Sequence, residues 1–592
     1  MFANPPSADS VLLRDASKKR WLLFERPHEV IQTFRTDEVA EKLRAVEEAV
    51  NARGLHAAGL LSYEAAPGFD PALAVRPPDG TFPLLWFGLY DAPREVELPR
   101  ADGGRALPSG LWAASVTPAE YAIAFERIKQ WIREGDTYQV NLTYRLRRTF
   151  EEDPWPFFVR LAAAQKTAYG AYVAARGWAV CSASPELFFS LEGSRLESLP
   201  MKGTAPRGLT LKQDRENAEG LHASEKNRAE NLMIVDMVRN DLGRVAQPGS
   251  VNVPALFTLE KYPTVWQLTS AVVAETRAPV TEIFRALFPA ASITGAPKAR
   301  TMALIEKTET TPRHIYTGSI GFIAPGRRAQ FSVAIRTLLV DRASRQAEYG
   351  VGGGIVWDSE CATEQAECRT KARILTDFAP PFQLLETLLW TPGGGYALLD
   401  RHMARLAESA DYFDFALSPV TLRQRLAGLA AGLAESPHKI RLLVAPDGAV
   451  TLEAEPLAFS PDSAPRPVAL ARAPVDRADP FLYHKTTSRR VYDEALASRP
   501  GFADVILFNA DGEVTESSRA NVVAEIGGAL CTPPVACGLL PGTCRAQLLE
   551  AGTVIERVIT IDQLRLSPRV FLVNSVRGMI PAAVSADAVI GG

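Results

Sequence analysis

Glu186 and Lys202 are the first two residues whose types and spacing could do chemistry together. An apolar stretch, a Glu-Gly-Ser-Arg turn and a second apolar stretch separate them, and this pattern predicts a β-hairpin. With the turn centred near Ser194, the two side chains would face each other across the ladder, with Cβ atoms about 5 Å apart. A carboxylate beside a lysine can exchange protons with it and expose a neutral amine nucleophile. An ordinary cross-strand ion pair would have the same pattern.

A second set of residues could hold a divalent cation. Part of it lies in segment 225–242, whose apolar residues recur at helical spacing. The rest lies on a helix predicted to begin near Asp358 or Ser359, where positions i, i+3 and i+7 share one face. Mg²⁺ accepts a few carboxylates and keeps positions for substrate oxygens and water, whereas the alternative is a solvated, salt-bridged helix face. The residues are Glu230 in the first segment and Glu364, Glu367 and Lys371 in the second.

Lys485 and Glu516 define a third candidate group, in the last third of the chain. Lys485 stands just before a predicted helix, and Glu516 follows a predicted buried strand and an Asn-Ala-Asp-Gly turn. Arg405 lies on another predicted helix, and the segment 538–545 offers backbone N–H groups at a helix start, where phosphate binds readily. Pyridoxal phosphate (PLP) needs a lysine, an acid at the pyridine nitrogen and donors for its phosphate. Taken singly, each of these residues could also be an ordinary surface or turn residue.

The elements that must position these residues fall into two domains. Strand-like and helix-like segments alternate throughout, which predicts α/β or α+β folds. The segment Asp377-Phe-Ala-Pro-Pro-Phe-Gln383 breaks a helical pattern with two prolines, so we predict domains at 1–378, with a core at 110–378, and 379–592.

Motifs of the first domain resemble the chorismate-binding enzymes, a family that includes anthranilate synthase component I and aminodeoxychorismate synthase component I. Besides the segments above, they include Ser292-Ile-Thr-Gly-Ala-Pro-Lys298, Tyr316-Thr-Gly-Ser-Ile-Gly321 and Ala334-Ile-Arg-Thr337. The resemblance implies a fold of two packed sheets with helices outside, a Mg²⁺ ion, and chorismate and ammonia as substrates. It implies Mg²⁺ ligands at Glu230 and Glu367, with Glu364 adjacent, and substrate-binding residues at Thr294, Tyr316, Arg336, Gly353 and Lys371.

Lys202 separates two members of that family. Anthranilate synthases usually carry a small residue there, whereas aminodeoxychorismate synthases carry lysine, as in Pro200-Met-Lys-Gly-Thr204 here. The resemblance implies that Lys202 adds at C2 of the ring and expels the C4 hydroxyl, with Glu186 as general acid, before ammonia enters at C4. Gln267 stands where the family often has histidine, and an amide cannot exchange protons near neutral pH. An anthranilate synthase-like or isomerase activity remains the alternative for this domain.

The second domain, from about Phe382 to Ala586, resembles fold-type IV PLP enzymes, which include D-amino acid aminotransferases and aminodeoxychorismate lyase. The resemblance implies that Lys485 bonds to PLP and that Glu516 pairs with the pyridine nitrogen. It implies phosphate contacts from Arg405, Thr543 and Ser575. The run Asn574-Ser-Val-Arg-Gly578 is more similar to lyases than to aminotransferases. The combined expectation is synthesis of 4-aminobenzoate for folate, and the alternatives are a fused class IV aminotransferase or one degenerate regulatory domain.

Composition limits the partners. The 592 residues carry a formal net charge of −3 and no basic stripe, which argues against nucleic acid. No apolar run reaches the roughly 18 residues of a membrane helix, so we expect a cytoplasmic enzyme that does not use a membrane. No glutamine amidotransferase domain is recognisable, so ammonia would come from a separate glutaminase subunit or from solution. A homodimer through the PLP domain is typical of the resembled family.

Overall fold

The computed structural model describes residues 5–99, 112–165, 167–376, 381–458 and 464–585. The chain forms two compact units. The first unit comprises Met1–Pro206 and Ala218–Phe378, and the second comprises Arg207–Asn217 and Ala379–Gly592. The predicted domain boundary falls on residues 377–380, which lie outside the described residues. The assignment of Arg207–Asn217 to the second unit is a difference from the sequence-based domains.

The described strands of the first unit form two antiparallel sheets, in which many neighbouring strands are not consecutive in sequence. The first sheet has the order β16-β8-β20-β19-β10-β9-β1-β2-β6, with β7 on β8, and the second has the order β13-β15-β12-β11-β18-β17-β4-β5-β3, with β14 on β15. The strands are β1 (Ser10–Asp15), β2 (Arg20–Phe24), β3 (Glu29–Thr33), β4 (His56–Leu61), β5 (Leu85–Tyr90), β6 (Arg94–Val96), β7 (Ala113–Ala114), β8 (Gln139–Thr149), β9 (Tyr169–Ala174), β10 (Trp178–Ser184), β11 (Leu187–Glu192), β12 (Arg195–Leu199), β13 (Met201–Pro206), β14 (Asn252–Lys261), β15 (Val265–Glu275), β16 (Gly295–Ala296), β17 (Ser319–Ala324), β18 (Arg328–Val333), β19 (Thr337–Asp341) and β20 (Gln346–Ile355).

Apolar residues of both sheets meet in one core. Val11 and Leu22 of the first sheet pack with Leu60, Trp86 and Phe322 of the second. Helices cover the outer faces, because separate buried clusters join α3 to the first sheet and α1, α5 and α6 to the second. The predicted fold of two packed sheets with helices outside is therefore confirmed. The helices are α1 (Val39–Arg53), α2 (Pro118–Arg133), α3 (Pro154–Gln165), α4 (Leu211–Ala223, which begins in the second unit), α5 (Glu225–Gly243), α6 (Val280–Leu287), α7 (Lys298–Thr308) and α8 (Cys361–Ala372).

The hairpin β11–β12 forms, but its register differs from the prediction. Leu191 pairs with Leu196, and a bulge shifts the register before Leu187 pairs with Leu199. Lys202 lies beyond this hairpin on β13, which pairs with β15 instead of β11. The prediction that Glu186 and Lys202 are cross-strand neighbours was therefore wrong, because the chain changes partner strands after Leu199.

Both predicted helices of this unit are present. Helix α5 matches the predicted segment closely, with Val235, Val238 and Leu242 buried, although Leu232 is 44% exposed. Helix α8 begins at Cys361, with Glu360 at its N-cap, so the predicted start near Asp358 or Ser359 was early. The hydroxyl of Ser359 does not cap the helix because it donates to Glu364 Oε1 at 2.7 Å.

The second unit contains a four-stranded and an eight-stranded sheet among its described residues, in the orders β22-β21-β23-β24 and β27-β26-β25-β32-β31-β28-β29-β30. Its strands are β21 (Leu384–Thr391), β22 (Gly395–Tyr396), β23 (His438–Val444), β24 (Val450–Pro456), β25 (Arg466–Leu470), β26 (Asp504–Phe508), β27 (Val514–Ser517), β28 (Asn521–Ile526), β29 (Ala529–Thr532), β30 (Ile555–Glu556), β31 (Val570–Asn574) and β32 (Gly578–Val584). Its helices are α9 (Leu399–Phe413), α10 (Pro419–Ala430), α11 (Arg490–Ala497), α12 (Thr543–Glu550) and α13 (Ile561–Arg565).

The segment Arg207–Asn217 is held to the rest of the second unit by buried polar contacts. Arg207 donates to both carboxylate oxygens of Asp214, at 2.7 and 2.8 Å, and its guanidinium lies over the Tyr412 ring. The Tyr412 hydroxyl donates to the carbonyl of Gly208 at 2.7 Å. Leu209 packs against the apolar cluster that contains Leu482 and Tyr492.

Two general features complete the fold. Within the described ranges, no helix combines the length and apolar character needed to cross a bilayer. All six cysteines are free thiols.

Candidate active sites

A glycine run on β20 forms the floor of the first candidate site. A Cβ added to Gly354 would lie 2.7 Å from Lys202 Nζ, and one added to Gly353 would lie 2.7 Å from Glu364 Oε2. A Cβ on Gly350 would overlap the ring of Tyr316. The absence of side chains at these three glycines therefore lets the lysine, the carboxylate and the aromatic ring approach the backbone.

Glu186 and Lys202 meet at Ser292. The Ser292 hydroxyl donates to Glu186 Oε1 at 2.6 Å, and Lys202 Nζ donates to the Ser292 carbonyl at 3.4 Å. Glu186 is buried, with 4% of its surface exposed. Asn231 holds β13 from behind, donating to the Lys202 carbonyl at 3.1 Å. Ser292, which lies on a third segment, therefore links the two residues.

Burial shifts the pKa values of both groups toward their neutral forms. It raises the pKa of Glu186 to about 7, while the Ser292 hydrogen bond and Lys202 oppose the shift. Burial also lowers the pKa of Lys202, although Glu230, Glu367 and Glu186 oppose that shift. These shifts therefore favour the carboxylic acid at Glu186 and the neutral amine at Lys202 over their charged forms.

The three acidic residues predicted to bind metal lie within electrostatic range of one another. Burial raises the pKa of Glu230 and of Glu364, and the carboxylate of Glu367 raises both further. Glu367 itself pairs with Lys371 Nζ at 2.8 Å, which lowers its pKa. A cation near these oxygens would relieve the repulsion between the carboxylates.

The protein alone does not complete a metal coordination sphere. The part of the chain that the structure describes holds no group of three or more His, Cys, Asp or Glu side chains close enough to bind a metal ion. Mg²⁺ commonly takes one or two carboxylates and completes its shell with water and substrate oxygens. Glu230 and Glu367 therefore fit Mg²⁺ only as a partial ligand set.

The predicted substrate-binding residues differ in their surroundings. Arg336 pairs with no carboxylate of a described residue, and its guanidinium lies over the Tyr262 ring, 5.5 Å from the centroid. Lys371 donates to the carbonyl of Gly352 at 2.8 Å. Thr294 is fully buried, and its hydroxyl is within 3.2 Å of the carbonyls of Ala290 and Ala291. Arg336 is thus the cation best placed to bind a carboxylate.

Lys485 and Glu516 occupy the second candidate site, in the second unit. Burial lowers the pKa of Lys485 to about 8, and Arg405 adds to this shift. Burial raises the pKa of Glu516 to about 7. Glu516 Oε1 accepts hydrogen bonds from the Tyr492 hydroxyl at 2.7 Å and from the Leu540 amide at 3.2 Å. These contacts fix the carboxyl group in place.

Two of the three predicted phosphate contacts, Thr543 and Arg405, lie at the start of α12. Thr543 is the first residue of this helix, and no side chain caps its N-terminus, where Gly542 is the N-cap. A Cβ on Gly542 would lie 1.9 Å from Asn521 Oδ1, so only glycine fits there. Arg405 donates to the Pro541 carbonyl at 3.2 Å. Ser575 lies beside β21, donating to the Thr387 carbonyl at 3.4 Å.

These residues fit a phosphorylated pyridine cofactor. Uncapped N–H groups at a helix start attract a phosphate, and Arg405 keeps N–H groups beyond those already bonded. Lys485 provides a partly neutral amine, and Glu516 an acid.

Two family models match the chain, one over each unit. Residues 8–377 match the family described as chorismate binding enzyme. The chain belongs to the chorismate binding enzyme family. Residues 383–584 match the family described as amino-transferase class IV. The class IV fold implies PLP as cofactor of the second unit.

Relatives cover the chorismate-binding unit. The aminodeoxychorismate synthase component 1 of Salmonella typhimurium is 42% identical over 272 residues, which are 45% of this chain and 59% of the relative. That of Escherichia coli is 33% identical over 379 residues, which are 58% of this chain and 83% of the relative. The structure of anthranilate synthase component I from Streptococcus pneumoniae, 21% identical, has a TM-score of 0.52 and covers 64% of this chain and 94% of its own. At this low sequence identity, the match to the Streptococcus pneumoniae structure shows a shared fold and nothing about activity.

Sequence reasoning missed Gln139 in the chorismate-binding unit. This residue is fully buried on β8, and both atoms of its amide group lack a hydrogen-bond partner. A Cβ added to Gly354 would lie 2.8 Å from Gln139 Nε2, so the amide lies on the Lys202 side of β20.

Sequence reasoning also missed Glu386 and His402 in the second unit. Glu386 accepts from Arg405 Nε at 2.8 Å and from Arg405 Nη2 at 2.7 Å, and it contacts His402 Nδ1 at 2.7 Å. Burial alone would raise the pKa of Glu386, but Arg405 and His402 outweigh it and lower the pKa to about 2. A charged residue inside the apolar run at 384–389 was the one available signal.

Proposed function

We propose that the chain makes 4-aminobenzoate in two steps. The chorismate-binding unit aminates chorismate at C4 to give 4-amino-4-deoxychorismate, and the second unit eliminates pyruvate from that product. The observation that carries the proposal is the buried Glu186–Ser292–Lys202 group, where a lysine of lowered pKa faces a carboxyl group of raised pKa.

Lys202 acts as the nucleophile of the first step. Its neutral amine adds at C2 of the ring while Glu186 gives a proton to the departing C4 hydroxyl. Ammonia then bonds at C4, and the amine of Lys202 leaves from C2. Ser292 supports this exchange by keeping Glu186 oriented.

The carboxylates and Arg336 hold chorismate. Mg²⁺ at Glu230 and Glu367, with Glu364 adjacent, would bind a substrate carboxylate and stabilise negative charge. Arg336 binds a carboxylate through two parallel hydrogen bonds. The remaining predicted substrate-binding residues lie around the chorismate ring; they are Thr294, Tyr316, Gly353 and Lys371.

Lys485 carries out proton transfers in the second step. PLP, when bound, supplies the electron sink for elimination. Glu516, whose pKa is about 7, shares a proton with the pyridine nitrogen. Arg405, Thr543 and Ser575 bind the phosphate. Lys485, with its pKa near 8, can both accept and return a proton as pyruvate leaves and the ring becomes aromatic.

The product mixture tests the whole proposal. The protein is supplied with chorismate, Mg²⁺, an ammonium salt and PLP, and 4-aminobenzoate and pyruvate should appear in equal amounts. Anthranilate as the product would instead indicate an anthranilate synthase-like first unit. The separate glutaminase, a homodimer through the second unit and a cytoplasmic location remain predictions.

A class IV aminotransferase is the second candidate for the second unit, because that family matches residues 383–584. Supplied 4-amino-4-deoxychorismate distinguishes the two. A lyase forms pyruvate and 4-aminobenzoate without an added keto acid, whereas an aminotransferase requires one.

A further inference from the structure

A buried chain of hydrogen bonds links β21, α9 and α12 in the second unit. Glu386 contacts His402 Nδ1 at 2.7 Å, and His402 Nε2 contacts Thr543 Oγ1 at 3.3 Å. All three side chains are at most 5% exposed. Of these three hydrogen-bonded residues, Thr543 alone has a role in the proposed function.

Glu386 determines the direction of the first hydrogen bond. A carboxyl group whose pKa is about 2 is ionised and can only accept. His402 Nδ1 must therefore carry a proton and donate it to Glu386. Nε2 is then the one ring nitrogen whose protonation can differ between states.

The state of Nε2 decides what the Thr543 hydroxyl can do. If Nε2 is bare, it accepts the hydroxyl proton, and Thr543 Oγ1 offers only lone pairs toward the start of α12. If Nε2 carries a proton, it donates to Thr543 Oγ1, and the hydroxyl proton is free to bond elsewhere. A phosphate dianion has only acceptor oxygens, so it can accept a hydrogen bond from the Thr543 hydroxyl only in the second state.

The charges favour the second state when phosphate is bound. Glu386 already neutralises Arg405, so the pair contributes little net charge. A protonated His402 would add one positive charge next to the dianion. The other ionisable side chains on the elements that meet at His402 are Asp400, Arg401, Glu408, Asp411 and Tyr412 on α9, and Cys544, Arg545 and Glu550 on α12. Four ion pairs involve these side chains: Arg401 with Glu550, Arg423 with Asp400, Arg215 with Asp411, and Arg545 with Glu556.

We infer that His402 is a positioning residue for the cofactor phosphate: it takes up a proton at Nε2 when the phosphate binds, and this turns the Thr543 hydroxyl into a donor to the phosphate. The inference rests on the proposed phosphate role of Thr543. It gives Glu386 the role of holding the other imidazole proton at Nδ1.

Proton uptake on binding tests the inference without catalysis. The probe is pyridoxine 5′-phosphate, which has no aldehyde to react with Lys485, added to the PLP-free full-length chain at pH 8, where the phosphate is a dianion. Calorimetry in two buffers of different ionisation enthalpy counts the protons. The wild type should take up about one proton more than His402→Gln, and His402→Gln should bind on the order of 10- to 100-fold more weakly.

Matched variants separate this effect from simple damage. His438→Gln replaces another buried histidine of the second unit, on β23, and should behave as wild type. Thr543→Val should lose the proton uptake, whereas Thr543→Ser should keep it. This second pair gives the answer if His402→Gln does not fold. Pyridoxine without phosphate should bind wild type and His402→Gln equally.

Three results would overturn the inference. Equal proton uptake by wild type and His402→Gln, or uptake that persists in Thr543→Val, refutes it while leaving the PLP assignment intact. Failure of pyridoxine 5′-phosphate to bind, together with no Lys485-dependent visible band on adding PLP, refutes the assignment and the inference together.

Discussion

Lys202 and Lys485 are both buried lysines with lowered pKa values, but their surroundings differ. Carboxylates surround Lys202 and partly oppose the effect of burial. Arg405 and Arg489 lie near Lys485 and add to it. Each environment therefore favours the neutral amine over the charged one. Replacing either lysine separates the two proposed steps.

Replacement of Lys202 removes the first step alone. Lys202→Ala should lower the rate of chorismate amination by at least about 100-fold, because the nucleophile is gone. The variant should still convert supplied 4-amino-4-deoxychorismate into 4-aminobenzoate at the wild-type rate. Chromatography of both reactions provides the measurement, and amination at an unchanged rate would rule out covalent participation of Lys202.

Replacement of Lys485 removes the second step alone. Lys485→Ala should accumulate 4-amino-4-deoxychorismate from chorismate and ammonia, since the residue that moves protons is missing. Pyruvate release, followed with a coupled dehydrogenase, should drop to the background rate. Lys439→Ala, at an exposed lysine on β23, is the matched control and should release pyruvate normally. Wild-type formation of 4-aminobenzoate by Lys485→Ala would contradict the lyase assignment.

Glu186 should set the alkaline limb of the amination rate. Because its pKa is raised to about 7, the group keeps its proton below that pH and loses it above. A general acid must be protonated, so kcat/KM for chorismate should fall as pH rises through about 7. Glu186→Gln should lower the rate by roughly 100- to 10,000-fold and abolish this limb. A limb that persists in Glu186→Gln would have to belong to another group.

At the scale of elements, the glycines of strand β20 determine how closely Lys202 can approach the backbone. Gly354→Ala places a Cβ 2.7 Å from Lys202 Nζ and 2.8 Å from Gln139 Nε2, which are the mobile ends of side chains. The fold should survive while the amine moves, so kcat for amination should fall about 10- to 100-fold. Gly177→Ala, with no atom within 4 Å of the added Cβ, is the control. Thermal unfolding and kcat are measured together, and an unchanged kcat would show that Lys202 does not need this space.

The same elements mark how far sequence patterns reach. Helical periodicity predicted α5 to within one residue, because its buried face is a local property of the sequence. The hairpin turn was also predictable, but the bulge near Leu187 and the change of partner at β13 depend on β15 and β18. The meeting of Glu186 and Lys202 at Ser292 joins segments about 90 residues apart, so no local rule could give it.

The second site shows the same limit. Lys485, Glu516 and Thr543 belong to recognisable motifs, whereas the contact between Glu386 and His402 is visible only when β21 and α9 are packed together. A buried carboxylate needs partners, and its partners lie 16 and 19 residues further along the chain. Sequence motifs therefore named the groups that face the cofactor but not those that hold them.

At the scale of the whole molecule, the second unit depends on Asp214. Asp214→Asn would leave Arg207 without its carboxylate in a buried setting, which typically costs about 3–5 kcal/mol. The second unit should unfold at lower temperature and release PLP, whereas amination of chorismate should continue. The visible band of bound PLP and chorismate consumption are followed during heating. Glu216→Gln, at an exposed position of α4, should change neither, and equal losses in both variants would contradict the prediction.

The chain enters the second unit twice, first for Arg207–Asn217 and again after Phe378. A single cut between the halves therefore cannot yield two complete proteins. The carboxy-terminal fragment would lack the eleven-residue strip Arg207–Asn217, which contacts Tyr412. The amino-terminal fragment would carry that strip without the residues that pack against it. An engineer who wants a free-standing second unit would have to graft the strip onto the fragment or redesign the surface that it leaves bare.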